Sequence, residues 1–229
     1  MIGLDPQYLL FALPGLVLGL YASWKTRSTF RAYADVAASS GLSGAEAAAR
    51  MLASQGVRNV RIEPTEGFLS DHFDPRDNTL RLSPDVYAGR SLAAIGVACH
   101  EAGHALQKAT GYGALELRSA LVPVTQLGSS LSWVVLGAGF VLHLAGLVYL
   151  GIALFATSVV FSLVTLPVEL NASARAREML MRAGLVTTTE ADGVRAMLNA
   201  AALTYIAGAA QAVMQLLYFA SLILGGRRR

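Results

Sequence analysis

Charged and apolar positions fall into blocks along the chain. Residues 6–24 carry no formal charge, residues 25–118 carry 11 basic and 10 acidic side chains, and residues 119–168 carry none over fifty positions. Four of each sign return in residues 169–200, and residues 201–226 again carry none. The first apolar run, about Tyr8 to Trp24, is just long enough to cross a bilayer, which takes roughly 17–25 residues. No basic residue precedes it, and Lys25, Arg27 and Arg31 follow it. A cleavable secretory signal has the reverse charge order, so the run reads as an uncleaved anchor. The positive-inside rule then puts the amino terminus outside and residue 25 onward in the cytoplasm.

The uncharged fifty-residue block would be about 75 Å long as one helix, far more than the roughly 30 Å hydrocarbon core. It predicts a hairpin of two spans, about 120–142 and 146–167, broken near Gly137–Gly146. A hairpin returns the chain to the face it left, so residues just before 119 and just after 168 share one side. The last run, 201–224, contains Gln211 and Gln215. If it crosses, the final three arginines lie outside, against the charge rule, so its crossing stays open.

Between the first run and the hairpin the pattern changes. Ser43-Gly-Ala-Glu46 reads as a capping box opening a helix that Gly56 stops. Residues 57–63 alternate apolar and polar, which predicts a strand. Asp77-Asn78 marks a turn, Thr79–Leu82 a second strand, and Ser83-Pro84 its end. The two strands are expected to be antiparallel. Residues 91–107 then form a helix rich in Ala, Val and Ile.

Composition narrows the class. Hydrophobic residues make up 54% and charged residues 14%, against roughly 25% charged in an average soluble domain. Mean hydropathy is +0.50. Intrinsic disorder is excluded, and an ordinary soluble globule has more polar surface than this. Much of the net charge of +3 is the terminal Arg227–Arg229, so the basic balance does not argue for nucleic acid. Cys99 stands alone, so no intrachain disulfide forms, and buried thiol is its ordinary role.

The 91–107 helix contains His100-Glu101-Ala102-Gly103-His104. Positions i and i+4 of a helix lie one above the other, so two imidazoles on one face can bind one Zn²⁺. Glu101 sits one residue round, where it can serve as general base to water on the metal. With 4 His and 8 Glu in the chain, composition alone produces this pattern on the order of a few times per thousand such sequences. Catalytic zinc needs a third protein ligand and an open position. His143 falls at the far end of the hairpin, where a polar turn residue is the simpler reading, and His72 lies on a loop or strand as a surface or substrate-contacting residue. Glu169 follows the hairpin immediately, on the side the hairpin geometry assigns to His100 and His104, and is the favoured ligand. Asp192 competes, although it also fits as a first-turn acid of a helix starting near Thr188 or Thr189.

Taken together, Asp71-His-Phe-Asp-Pro75, Thr79-Leu-Arg-Leu-Ser-Pro84, Ala98-Cys-His-Glu-Ala-Gly-His-Ala-Leu-Gln107, Leu166-Pro-Val-Glu169 and Ala202-Leu-Thr-Tyr205 resemble the YugP-type bacterial membrane zinc metallopeptidases. These are distant relatives of HtpX and the CAAX-type prenyl proteases. The resemblance covers nearly the whole chain in the same order. It implies a gluzincin-like site in which His100, His104 and Glu169 bind one zinc per chain and Glu101 is the catalytic acid/base. In better-known relatives an Asp four residues after the ligand Glu supports a ligand histidine. Here that position is Ser173, and Ser173 and Asn171 are left to share the role. Relatives also present an edge strand before the metal helix for an extended substrate, here Thr79, Leu80, Arg81 and Leu82. Tyr205 and Arg175 are candidates for the oxyanion donor.

The expectation is a mainly α membrane protein: about four membrane helices with a small α+β gluzincin-like catalytic domain. The segments are an anchor at 1–24, a catalytic half at 25–118, a hairpin at 119–168, a third-ligand segment at 169–200, and a last membrane helix with a basic tail at 201–229. The expected activity is zinc endopeptidase at the cytoplasmic face of a bacterial inner membrane. Partners would be the lipid bilayer and peptide, unfolded or membrane-protein substrates, with no nucleic acid and no oligomeric state specified. Two rivals stand beside it: a site-2-type intramembrane protease with Asp192 as third ligand, and a non-enzymatic zinc-binding scaffold.

Overall fold

The structure is a computed structural model that describes residues 6–67 and 70–226. The terminal arginines 227–229 lie outside the described residues. The elements in chain order are α1 (Pro6–Ala34), α2 (Gly44–Ser54), β1 (Arg61–Pro64), β2 (His72–Asp74), β3 (Thr79–Leu82), α3 (Pro84–Tyr87), α4 (Leu92–Ala109), α5 (Gly113–Val141), α6 (Ala145–Arg182) and α7 (Thr188–Gly226). The protein is mainly α and of membrane type. Among the described residues, four helices are long and apolar enough to cross a bilayer: Pro6–Ala34, Gly113–Val141, Ala145–Arg182 and Thr188–Ile223. The described residues divide into two units, one of residues 6–22, 117–167 and 204–226, the other of residues 23–67, 70–116 and 168–203.

The first unit holds the uncharged stretches. The hairpin turns between α5 and α6, where His143 takes a left-handed φ of 54°. The two arms pack closely because glycines face the partner helix. A Cβ at Gly139 would meet the Val148 backbone nitrogen at 2.8 Å, and one at Gly151 the Leu136 backbone nitrogen at 2.9 Å. Small residues at such crossings let helices associate where lipid supplies no hydrophobic drive. Phe155 and Phe219 stack edge-on at 5.4 Å, with Trp133 beside both. Leu10, Val17, Leu127, Val134 and Leu163 point outward, as lipid-facing side chains do.

The second unit has an ordinary buried core. Ser43 caps α2 through a full capping box: Ser43 Oγ accepts from the Glu46 amide at 3.2 Å, and the Ser43 amide donates to Glu46 Oε2 at 2.7 Å. Gly56, with φ +75°, ends that helix in the left-handed conformation that costs glycine least. Helix α4 is buried nearly all round, from Leu92 to Gln107, and is the central element of this unit. Ala47, Ala48 and Met51 of α2, Leu80 and Leu82 of β3, and Ala176 and Leu180 of α6 belong to the core built around it.

The sheet corrects two expectations. Its order is β1-β3-β2. First, β1 covers residues 61–64 rather than 57–63 and runs parallel to β3, not antiparallel. The tight turn through Asp77 and Asn78 (φ 57°) returns β2 antiparallel onto β3, and this occupies one side of β3. β1 is left the other side. Second, Thr79, Leu80, Arg81 and Leu82 therefore form the central strand and cannot accept a substrate strand. The edge on that side of the sheet is β2, whose three residues are too few to show alternation in sequence.

Candidate metal centre

His100 and His104 lie one turn apart on α4, with ring centroids 5.0 Å apart and planes at 83°. Glu169 comes from α6, two residues after Pro167. Helices α4 and α6 meet at Gly103, where an added Cβ would lie 2.7 Å from the Ala172 carbonyl oxygen. Ala102, Ala172 and Ala176, all fully buried, share this narrow contact zone of small residues. The two histidines and Glu169 can therefore converge. Glu169 Oε2 lies 3.2 Å from His100 Nε2 and 3.5 Å from His104 Nε2. One ligand atom from each of the three residues lies within 4.8 Å of the others.

These distances fit zinc. Ligands about 2.0–2.1 Å from a tetrahedral ion are about 3.3 Å from one another. Glu169 is 2% exposed and His104 6%, so the group is closed to solvent from the core side. The other imidazole nitrogens are occupied, as ligand histidines require. His100 Nδ1 is 3.1 Å from Ser173 Oγ, and His104 Nδ1 is 2.9 Å from Gln107 Oε1. Both Nε2 atoms face the shared space.

Glu101 is next to the group but not part of it. Its Oε2 accepts the Phe73 amide of β2 at 3.2 Å. Burial raises its pKa, the two histidines oppose this, and Glu169 and Asp71 add to it. Burial alone would lower the His104 pKa, but hydrogen bonding to Glu169 and the charges of Glu101 and Glu169 outweigh it and raise it. Asp71 holds the approach to β2 by accepting from both the amide and the hydroxyl of Ser83, at 2.7 and 3.0 Å.

The remaining candidates separate by position. Asn171 does not touch His100. Its Oδ1 accepts from Gln107 Nε2 at 3.0 Å and from Arg175 Nε at 2.8 Å. Arg175 also lies over the Tyr112 ring at 5.8 Å and lines a cavity of about 440 Å³ with Asn171, Leu106 and Glu178. None of the three grouped residues lines that cavity. Tyr205 is half-buried on α7 in the apolar unit, whereas the His-His-Glu group is in the polar one. Asp192 is exposed, pairs with Arg195 at 3.7 Å, and stands in the first turns of α7. Helix α4 is not among the candidate spans, so the site-2-type arrangement has no counterpart here. His143 sits at the hairpin turn, and His72 is exposed with Nδ1 2.8 Å from the Ser70 carbonyl. Cys99 is fully buried, and burial pushes its thiol pKa up.

Two contributors carry no sequence assignment. Gln107 is three residues beyond His104 and shares its helix face, which is the one signal available for it. The Phe73 amide carries no side-chain signal at all.

Residues 8–224 match the family model described as "Putative neutral zinc metallopeptidase". The "Putative membrane protease YugP" of Bacillus subtilis (strain 168) is 44% identical over 220 residues, covering 96% of this chain and 98% of that protein. No solved structure matches the chain. A family match over nearly the full length, together with a buried His-His-Glu group on an HExxH helix, places the chain in this family of membrane-associated zinc metallopeptidases.

Proposed function

We propose that the chain is a membrane-anchored zinc endopeptidase in which His100, His104 and Glu169 hold one zinc ion and Glu101 is the general base. The observation that carries it is the convergence of the three ligand atoms within 4.8 Å beside a separate, half-buried carboxylate, Glu101. When bound, zinc acts as a Lewis acid on the scissile carbonyl and lowers the pKa of water towards about 7. Glu101 takes the proton from the attacking water and returns it to the amide nitrogen as the C–N bond breaks. Water oxygen ends on the new carboxylate and the proton on the new amine.

The substrate is an extended peptide segment, from an unfolded or membrane protein, laid along the outer edge of β2. Phe73 is paired with Leu80, yet its amide donates to Glu101 rather than to β3. Both main-chain groups of such a residue point off the strand edge; Glu101 takes the amide, which leaves the Phe73 carbonyl to accept from a substrate amide. The site faces the cytoplasm, on the argument that Lys25, Arg27 and Arg31 follow the first span.

The test is paired, on detergent-purified protein. Zinc content and cleavage of a quenched unfolded substrate are measured for wild type, Glu101→Gln and Glu169→Ala. Wild type should hold one zinc and cleave, Glu101→Gln should hold zinc and be inactive, and Glu169→Ala should lose zinc. Zinc retained with activity in Glu169→Ala would remove the third ligand from the reading. Full activity in Glu101→Gln would remove the mechanism.

A further inference from the structure

We infer that Gln107, Asn171 and Arg175 form a one-way hydrogen-bond relay that fixes the imidazole of His104 with its proton on Nδ1 and its lone pair on Nε2. Gln107 is the positioning residue for this histidine. The inference rests on the zinc reading above and adds to it.

The direction of every bond follows from the end groups. A guanidinium has donors and no acceptor. Arg175 Nε therefore requires the oxygen of Asn171, and Oδ1 lies 2.8 Å from it. The same Oδ1 is 3.0 Å from Gln107 Nε2, so Gln107 must present its NH₂ there. The main-chain carbonyl of Val168, which can only accept, takes that NH₂ at 2.8 Å. Both amide protons of Gln107 are thus committed. Its Oε1 is left facing His104 Nδ1 at 2.9 Å, and an amide oxygen can only accept. Nδ1 must carry the proton, and Nε2 is free for a metal.

The Gln107 end of the relay is buried, while Asn171 and Arg175 are half-buried. Gln107 is 0% exposed. Turning its amide over would put NH₂ against Nδ1 and set its oxygen against two acceptors. Arg175 is itself held over the Tyr112 ring. His100 has no equivalent lock, since the Ser173 hydroxyl can donate or accept. The two histidines are therefore oriented by different means, and His104 is the one whose Nδ1 proton the relay fixes, which leaves Nε2, 3.5 Å from Glu169 Oε2, as the nitrogen that turns to the metal. Val168 and Asn171 flank Glu169 on α6, so the relay also ties the third ligand's helix to α4.

The test measures zinc affinity by competition with a chromogenic chelator, alongside the melting profile of each variant. Gln107→Met keeps the volume and removes the acceptor, and should weaken zinc binding about 10–100-fold. Asn171→Leu should weaken it in the same direction. Asn171→Asp keeps an acceptor for both donors and should stay within about threefold of wild type, a rescue that a purely structural role would not give. A measurement without substitution stands even if a variant fails to fold. In zinc-loaded wild type with ¹⁵N-labelled histidine, His104 should carry its proton on Nδ1, protected from exchange. Gln107→Met within about twofold of wild type would overturn the relay, as would Asn171→Asp falling as far as Asn171→Leu, or His104 bound through Nδ1. Those results leave the zinc reading intact. Wild type that takes up no zinc would overturn that reading and the relay with it.

Discussion

The Phe73 amide lies 3.2 Å from Glu101 Oε2, so the outer edge of β2 ends on the carboxylate beside the two histidines. A strand that delivers its main chain to the base also delivers whatever peptide pairs with it. Cleavage should therefore depend on substrate amides more than on side chains. N-methylation of alternate amides in a cleaved peptide should reduce kcat/KM at least about tenfold, the cost of losing one or two main-chain hydrogen bonds. The check is kinetics on matched peptides. Equal rates would remove strand addition from the reading.

Ser173 Oγ is the partner of His100 Nδ1 at 3.1 Å, and the serine is 7% exposed. Ser173→Ala leaves that nitrogen without its partner. Zinc affinity should fall about tenfold, towards the low end for residues that orient a ligand. Chelator competition reads the loss, and the zinc-free protein should unfold as before.

Gly103 stands where α4 crosses α6. Replacing a helical glycine by alanine ordinarily favours the helix by up to about 1 kcal/mol. Here the new Cβ would sit 2.7 Å from the Ala172 carbonyl oxygen, a main-chain atom that cannot swing away. The helices must separate, at about 1–3 kcal/mol, so the clash outweighs the propensity. Gly103→Ala should lower stability and zinc content together, because the same crossing brings Glu169 to the histidines. Metal analysis and thermal melting test both.

The turn between β2 and β3 carries an ion cluster. Hydrogen bonding to Arg76 holds the Asp74 carboxyl down at about 2, with Arg81 adding its charge. A depressed carboxylate pKa stabilises the folded state above the unfolded pKa, and that contribution is lost as pH falls through the folded value. Asp74→Asn should therefore cost stability at neutral pH, and its difference from wild type should shrink from about pH 4 to about pH 2. Denaturant unfolding across this range measures it. A gap that widens on acidification would contradict the assignment.

Some of this protein is written in local patterns, and those parts were legible in the chain alone. The charge-free blocks specify long membrane helices because each must satisfy its own backbone in lipid. Ser43 and Glu46 cap α2, and the i, i+4 spacing of His100 and His104 places both rings on one face, through interactions that span only a few residues. Glu169 was legible as a candidate because a hairpin must return to its starting side. The rest depends on what meets across space. β1 became parallel, and β3 central, only because the short strand β2 took the other side of β3. Arg175 is engaged by Asn171 and lies over the Tyr112 ring. The role of Gln107 exists only where α4 packs on α6, since its amide protons are spent on Val168 and Asn171, more than sixty residues away in sequence. Helical periodicity and capping are encoded within a turn or two, whereas strand order, helix crossing and the direction of a buried hydrogen-bond chain are set by the packing of distant segments.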